Sequence, residues 1–351
     1  MRFIHTADLH LDSPMTAHLS GDKVSVRRRE VNDSLRRVVE DGVSRGGEGV
    51  LIVGDLFDSE HVMPYTVDAV LSLMRDYPSL PFFYVAGNHE GSVLTGRDDR
   101  PSNLYILDGA RPSVTLSGGI AIHAAASPRA LTQMSLDPAA YNIVLLHAGV
   151  GERTDEDTVR LAELADRPID YLALGHYHTY TEYRVSDRLL AVYSGAPEGR
   201  GYDECGDKGY ALLDTERREV RFIRTAKRRV EDLRVDISEA RSTSDILRYI
   251  NEQIGQAGVG PSDMLRVTLT GYTPPGLCRD TAVIGARFEN AYFSFSLRDE
   301  SHLRLDRASV SCDPTLKGEF VRTVLSDTTL SDEEKEDIID CGLRYLQESV
   351  G

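Results

Sequence analysis

Met1-Arg2-Phe3-Ile4-His5-Thr6-Ala7 runs directly into Asp8-Leu9-His10. It is a short apolar run with a carboxylate and an imidazole at its carboxyl end. The pattern returns four times. Leu51-Ile52-Val53-Gly54 ends in Asp55, and Phe82-Phe83-Tyr84-Val85-Ala86-Gly87 ends in Asn88-His89. Ile143-Val144-Leu145-Leu146 ends in His147, and Tyr171-Leu172-Ala173-Leu174-Gly175 ends in His176-Tyr177-His178. Continuous apolar runs of this length read as strands buried on both faces. In open α/β sheets ligands gather where the carboxyl ends of strands converge, so five such runs describe one site.

The donor types fit a pair of divalent ions. Carboxylate oxygens with imidazole suit Mn, Fe or Zn, and the lack of Cys among the donors argues against a structural zinc site. A two-metal hydrolytic centre holds its ions ~3.5–4 Å apart, so one carboxylate should be shared. Asp8 and His10 are two residues apart, as are His176 and His178. In extended backbone such pairs face the same side. Gly54, Gly87 and Gly175 precede ligand candidates and should allow sharp turns and close backbone approach. Taken singly, each motif reads as a turn Asp or a hydrogen-bonded His; five in order do not.

Asp8-Leu9-His10, Gly54-Asp55-Leu56-Phe57-Asp58, Gly87-Asn88-His89-Glu90, His147 and Gly175-His176-Tyr177-His178 together resemble the signature of the calcineurin-like metallophosphoesterases. The spelling is closest to DNA-repair exonucleases of the SbcD type. Asp8-Leu9-His10-Leu11-Asp12-Ser13-Pro14 and Tyr193-Ser194-Gly195-Ala196-Pro197-Glu198-Gly199-Arg200 are similar to the YhaO-like branch. The resemblance covers about the first 225 residues. It implies an α/β (α+β) fold, a core of two packed mixed β-sheets flanked by helices. It also implies one metal held by Asp8, His10, Asp55 and His178, and a second by Asp55, Asn88, His147 and His176, with Asp55 bridging. His89 would be the catalytic general acid, and a metal-activated water the nucleophile on a DNA phosphodiester. Mn is the expected ion, with Fe, Zn or Mg compatible. Asp58 receives no role. A small-molecule nucleotide phosphodiesterase or phosphatase of the same superfamily is the first alternative, and a scaffold for an SMC-like ATPase the second. A protein phosphatase is disfavoured, because Phe57-Asp58-Ser59-Glu60 stands where that branch has Asp-Arg-Gly. His5, His18, His61, His123 and His302 lack partners at ligand spacing and read as packing or surface residues.

With 351 residues the chain should form two to three units. A nuclease domain is expected over 1–228, an α/β capping domain over 229–300 and a C-terminal helical segment over 301–351. Helices are expected at Val24–Ser44, Pro64–Tyr77, Asp155–Ala165 and Ser244–Gln256, with another up to Glu289 after a Pro274-Pro275-Gly276 break. A Gly118-Gly119 hairpin is expected as well. Thr315–Leu325 and Ser331–Glu348 read as the final helices, the latter opened by a capping box. In SbcD-type proteins such a segment docks on an SMC-like ABC-type ATPase subunit, so that partner is implied, as is a homodimer; packing on its own body is the competing reading. No Gly-x-x-x-x-Gly-Lys-[Ser/Thr] loop occurs, so any ATP dependence would come from another polypeptide.

Four scattered cysteines fit free thiols in a reducing compartment, and no stretch has membrane-spanning length, so a cytoplasmic location is expected. The net charge of −16 opposes nucleic acid as substrate, since such binders carry a basic footprint. Metal-bound acids soften that objection, and acids crowd Asp327 to Asp340 while Arg217 to Arg229 is basic. That basic run reads first as a charge-protected edge strand and second as a DNA-facing rim.

Overall fold

A computed structural model describes residues 1–15, 19, 21–274, 277–304 and 313–348. His18, Pro275, Gly276 and part of the expected C-terminal segment lie outside the described residues. The chain divides into two compact units, Met1–Val230 and Glu231–Gly351.

Two six-stranded mixed sheets build the first unit. In one, the order is Glu219–Arg224, Gly209–Asp214, Arg2–Thr6, Gly49–Val53, Phe82–Val85 and Leu104–Ile106. Arg2–Thr6 runs antiparallel to Gly209–Asp214 and parallel to Gly49–Val53. In the other, the order is Thr181–Arg184, Leu190–Tyr193, Tyr171–Gly175, Tyr141–His147, Ile120–Ala124 and Ser113–Thr115. Tyr171–Gly175 is parallel to both its neighbours.

Period-two alternation explains the unbroken apolar runs. Phe3, Leu51, Val53 and Phe83 point inward and meet Ile122, Ile143, Leu145 and Ala173 of the facing sheet. Ile4, Val50, Ile52 and Phe82 point outward and are covered by Leu35, Val38, Val39, Val70 and Met74 from helices. Val144, Leu146, Leu172 and Leu174 are covered likewise by Leu131 and Leu164. Phe3 is fully buried, a contribution of about 1.5–3 kcal/mol for a side chain of its class. Both sheets are therefore buried on two faces, which aligns their parallel strands and sends the turns after Thr6, Val53, Val85, His147 and Gly175 to one end.

Two expectations are corrected. The Val24–Ser44 stretch forms two helices, Asp22–Asn32 and Ser34–Ser44, which break at Asp33, while Asn32 Oδ1 accepts from the Asp12 backbone N–H at 2.7 Å. Asp155–Ala165 is not a helix. Asp155 Oδ1 instead accepts from the Asp157 and Thr158 N–H groups in a local turn, and Thr158–Val159 pairs with Gly149–Val150. Only a 3₁₀ turn, Leu161–Leu164, remains.

Two residues of the basic run, Arg221 and Arg224, lie on Glu219–Arg224, an edge strand of its sheet. Four arginines of the run are matched by acids: Arg221 with Glu219, Arg224 with Asp207, Arg218 with Asp170 and Arg228 with Glu30.

The second unit contains a sheet ordered Val230–Asp236, Met264–Thr270 and Ser294–Asp299, with the last two parallel. Helix Thr243–Ala257 buries Ile246, Ile250 and Ile254, one face at i, i+4 spacing, with Val235, Leu265 and Val267 in the same core. The expected helix up to Glu289 is short, Thr281–Gly285. Helices Leu316–Ser326 and Asp332–Glu348 share a core of Val321, Val324, Ile339 and Leu343. Ser331 and Glu334 form the capping box, Glu334 N–H donating to Ser331 Oγ and Ser331 N–H to Glu334 Oε2. Among the described residues no helix is long and apolar enough to cross a membrane.

Candidate metal centre

The five turns at one end of the two sheets bring the candidate ligands together. Backbone hydrogen bonds set the frame: Asp8 N–H donates to Gly54 O, His10 N–H to Asp55 O and Gly54 N–H to Val85 O. Across to the second sheet, His176 N–H donates to both carboxylate oxygens of Asp8, at 2.9 and 3.1 Å.

Asp8 and Asp55 are almost fully buried, at 1% and 3% exposure. Asp55 Oδ2 lies 3.3 Å from His147 Nε2, 3.7 Å from His10 Nε2 and 3.9 Å from His89 Nε2. Two groupings have ligand atoms all within 4.8 Å of one another: Asp8, His10 and His178, and Asp8, Asp55 and His147. Rings of His10 and His178, and of His147 and His176, lie 5.1 and 5.5 Å apart. The tightest groupings share Asp8, whereas Asp55 stands between His10 and His147. Asn88 and His89 sit at the exposed mouth.

The paired ligands do not converge through extended backbone. Asp8, His10, Asp55 and His176 have φ values of 52°, 43°, 47° and 106°. Non-glycine residues seldom occupy that region, and strain held in place by surrounding structure gathers at functional sites. Because the turns are left-handed at single residues, Asp8 and His10 face one cavity without a strand's alternation. Gly54 and Gly87 permit the crowding. A Cβ on Gly54 would stand 2.1 Å from His147 Nδ1, and one on Gly87 would stand 2.1 Å from Asp55 Oδ1.

The site's own polar atoms argue for cations. His10 Nδ1 and Nε2 and His147 Nε2 are buried without hydrogen-bond partners. His147 Nδ1 lies 3.1 Å from Val53 O, so a proton there leaves Nε2 with its lone pair facing the carboxylates. Two buried carboxylates facing one another are costly unless positive charge joins them. Burial pushes the Asp8 carboxyl up to about 6 against the pull of His147 and His178. Burial works the same way on Asp55, but the His147 imidazole 3.3 Å away and the charges of His10 and His89 hold it well below the usual range. Burial lowers His147, yet Asp55 and Asp8 outweigh it and raise the imidazole to about 8. His10 and His176 are lowered, chiefly by burial. Divalent ions fit this donor set.

Other residues complete the surroundings. Fully buried Glu90 accepts from Gly87 N–H at 2.9 Å and Phe57 N–H at 2.8 Å, tying the Asn88–His89 turn to the Asp55 turn. Burial raises its carboxyl to about 7. Asp58 Oδ1 lies 3.3 Å from His10 Nδ1, outside hydrogen-bonding alignment. Glu204 Oε1 meets His178 Nδ1 at 2.7 Å. Glu90 and Asp58 stood within the quoted motifs; Glu204 carried no signal in the sequence. His5 is buried against the Tyr171 hydroxyl at 2.9 Å, and His123 pairs with Asn142, both as packing residues.

The family model of calcineurin-like phosphoesterases matches residues 1–180. That decides the matter. The chain belongs to the calcineurin-like phosphoesterases. It is a metal-dependent phosphoesterase, a hydrolase. It is 26% identical over 305 residues to the uncharacterized metallophosphoesterase YhaO of Bacillus subtilis, covering 79% of this chain and 73% of that protein. With the DNA double-strand break repair protein Mre11 of Methanosarcina acetivorans it shares 26% identity over 232 residues, 61% of this chain. The match spans only 36% of that longer protein. A dimetal phosphatase from Danio rerio gives a TM-score of 0.42 at 13% identity, over 60% of this chain and 91% of that one.

Proposed function

We propose that this calcineurin-like phosphoesterase hydrolyses DNA phosphodiester bonds using two Mn²⁺ ions. Asp8, His10, Asp55 and His178 would hold one ion, and Asp55, Asn88, His147 and His176 the other. The observation that carries the reading is the position of Asp55 Oδ2, within 3.9 Å of three imidazoles from three different turns. The relatives' names support DNA as substrate class, since Mre11 is named for double-strand break repair.

Bound divalent ions would generate the nucleophile from water and neutralise charge on the phosphoryl oxygens. The chain's residues do the rest. Val53 O orients His147 through its Nδ1, and the Asp8 carboxylate holds the His176 turn. His89 has 53% of its side chain exposed and its backbone N–H on Asp55 Oδ1 at 3.3 Å. It can therefore reach a substrate while staying anchored to the centre, and it gives a proton to the leaving oxygen.

The net charge of −16 favours the second reading, a phosphodiesterase of small nucleotides. Pairing of arginines of the basic run with acids points the same way. Mn²⁺-loaded protein incubated with linear duplex, single-stranded DNA and bis-p-nitrophenyl phosphate separates the two. Cleavage of DNA supports the nuclease. Hydrolysis of the bis-ester with both DNAs intact supports the small-substrate reading, and three intact substrates refute the nuclease. An SMC-like ATPase subunit would have to dock beside the exposed Ile338, because Ile339 and Leu343 of the same helix are buried. Co-elution with such a subunit, or of two copies of the chain, tests those partners.

A further inference from the structure

The stretch Glu198–Lys208 lies beyond the residues matched by the family model, yet it backs one of the candidate ligands, His178. Glu204 Oε1 meets His178 Nδ1 at 2.7 Å. The same oxygen accepts from Arg200 Nη2 at 2.8 Å and Nε at 3.1 Å. Glu204 Oε2 accepts the Arg200 backbone N–H at 2.8 Å, closing the turn on itself. Arg200 Nη1 reaches Asp58 Oδ1 at 2.8 Å, and that oxygen lies 3.3 Å from His10 Nδ1. On the other side of His178, Lys208 Nζ donates to its backbone oxygen at 2.6 Å. His178 is thus held by ring and by backbone from one segment.

That segment is itself anchored. Glu198 is buried and accepts from Arg27 Nη2 at 2.6 Å, from Arg37 and from the Lys227 backbone N–H at 2.7 Å. Arg27 is buried too and also donates to Gly199 O at 2.7 Å. A fixed segment can impose a direction on the rings it touches; a mobile one could not.

A histidine that gives its Nδ1–H to a carboxylate must present the Nε2 lone pair, and such partners orient the ring and strengthen it as a ligand. We infer that Glu204 is the positioning residue that fixes His178 as an Nε2 metal ligand. Arg200 braces that carboxylate through Nη2 and Nε while its Nη1 holds Asp58 beside His10, so the constraint on His178 is fixed from a single turn. The inference rests on the proposal that His178 holds an ion, and it adds which residues outside the ligand set make it competent.

The test is calorimetric titration of the full chain with Mn²⁺, for the wild type, Glu204→Gln, Glu204→Asp and Arg200→Gln. It is joined by ¹⁵N-imidazole spectra of the metal-free protein. The wild type binds two ions and shows the Nδ1–H tautomer at His178. Glu204→Gln weakens one ion about 10–100-fold, as expected for loss of such a partner, and leaves the other unchanged. Glu204→Asp restores part of that loss, and Arg200→Gln weakens the same ion. If the wild type binds two ions and both variants, Glu204→Gln and Arg200→Gln, keep both affinities, the positioning role is wrong while the two-ion reading stands. If the wild type fails to bind two ions, the two-ion reading falls and takes the inference with it. Should Glu204→Gln fail to fold, Arg200→Gln and the wild-type tautomer decide; an Nε2–H tautomer at His178 overturns the role of Glu204.

Discussion

Asp8 grips the backbone of His176, both of its carboxylate oxygens accepting one N–H across 168 residues of chain. The bond ties the turn after the first strand of one sheet to the turn after a central strand of the other. It also leaves a buried carboxylate whose proton affinity is raised to about 6. A carboxyl raised on folding holds its proton more tightly in the native state, so in the metal-free protein its ionisation removes stability as pH rises through the ordinary carboxylate range to about 6. Asp8→Asn should therefore stabilise the metal-free protein near neutral pH by about 3 kcal/mol, at 1.36 kcal/mol per pKa unit. The same change should abolish the tight binding of metal. Thermal melts with and without Mn²⁺ check this; a lower apo melting temperature for Asp8→Asn contradicts it.

Metal affinity should fall with pH in two stages. An imidazole must be neutral to ligate, and His147 is raised to about 8 by Asp55 and Asp8. Between about pH 6 and 8, ion binding should release one proton from His147, weakening apparent affinity about tenfold per unit as pH falls. Below about 6 Asp8 protonates as well and the dependence steepens. Titrations in buffers of different ionisation enthalpy count the protons; a flat profile from pH 6 to 8 rejects the assignment.

His89→Ala should separate chemistry from binding. Removing a general acid costs roughly 10²–10⁴-fold in rate. Metal content should be retained, since His89 is half-exposed and its Nε2 is the farthest of the three imidazoles from Asp55 Oδ2. Turnover on bis-p-nitrophenyl phosphate beside metal analysis reads both, and unchanged kcat removes His89 from the mechanism.

Gly54→Ala should damage the site without touching a ligand. The added methyl would stand 2.1 Å from His147 Nδ1, on backbone at φ +75°. Strain of this kind costs of order 1–3 kcal/mol. We expect a lower melting temperature and loss of the ion held by His147. Wild-type metal content in this variant would show that the turn is more tolerant than its geometry implies.

Much of the fold was legible because two-faced burial leaves a local trace. Tyr171–Gly175 has no charged residue to interrupt it, and Leu265, Val267 and Leu269 recur at every second position of Met264–Thr270. Asp155–Ala165 misled because its helix-like composition is overruled by the Asp155 turn and by pairing with Gly149–Val150, which no local pattern announces. The site residues were legible as strand-end donors, but the way they converge was not. Left-handed turns at Asp8, His10 and Asp55 are imposed by bonds to other turns, such as His10 N–H to Asp55 O. Glu204 was hidden for a similar reason: its partner His178 lies far away in sequence and no local pattern pairs the two, while Arg200 stood in the quoted Tyr193–Arg200 stretch without a role.

The sharpest test is a crystal grown with Mn²⁺ and measured at the manganese absorption edge. Two anomalous peaks should appear ~3.5–4 Å apart, one against Asp8, His10 and His178 and one against His147 and His176, with Asp55 touching both. A single peak, or peaks away from Asp55, would contradict the two-ion centre.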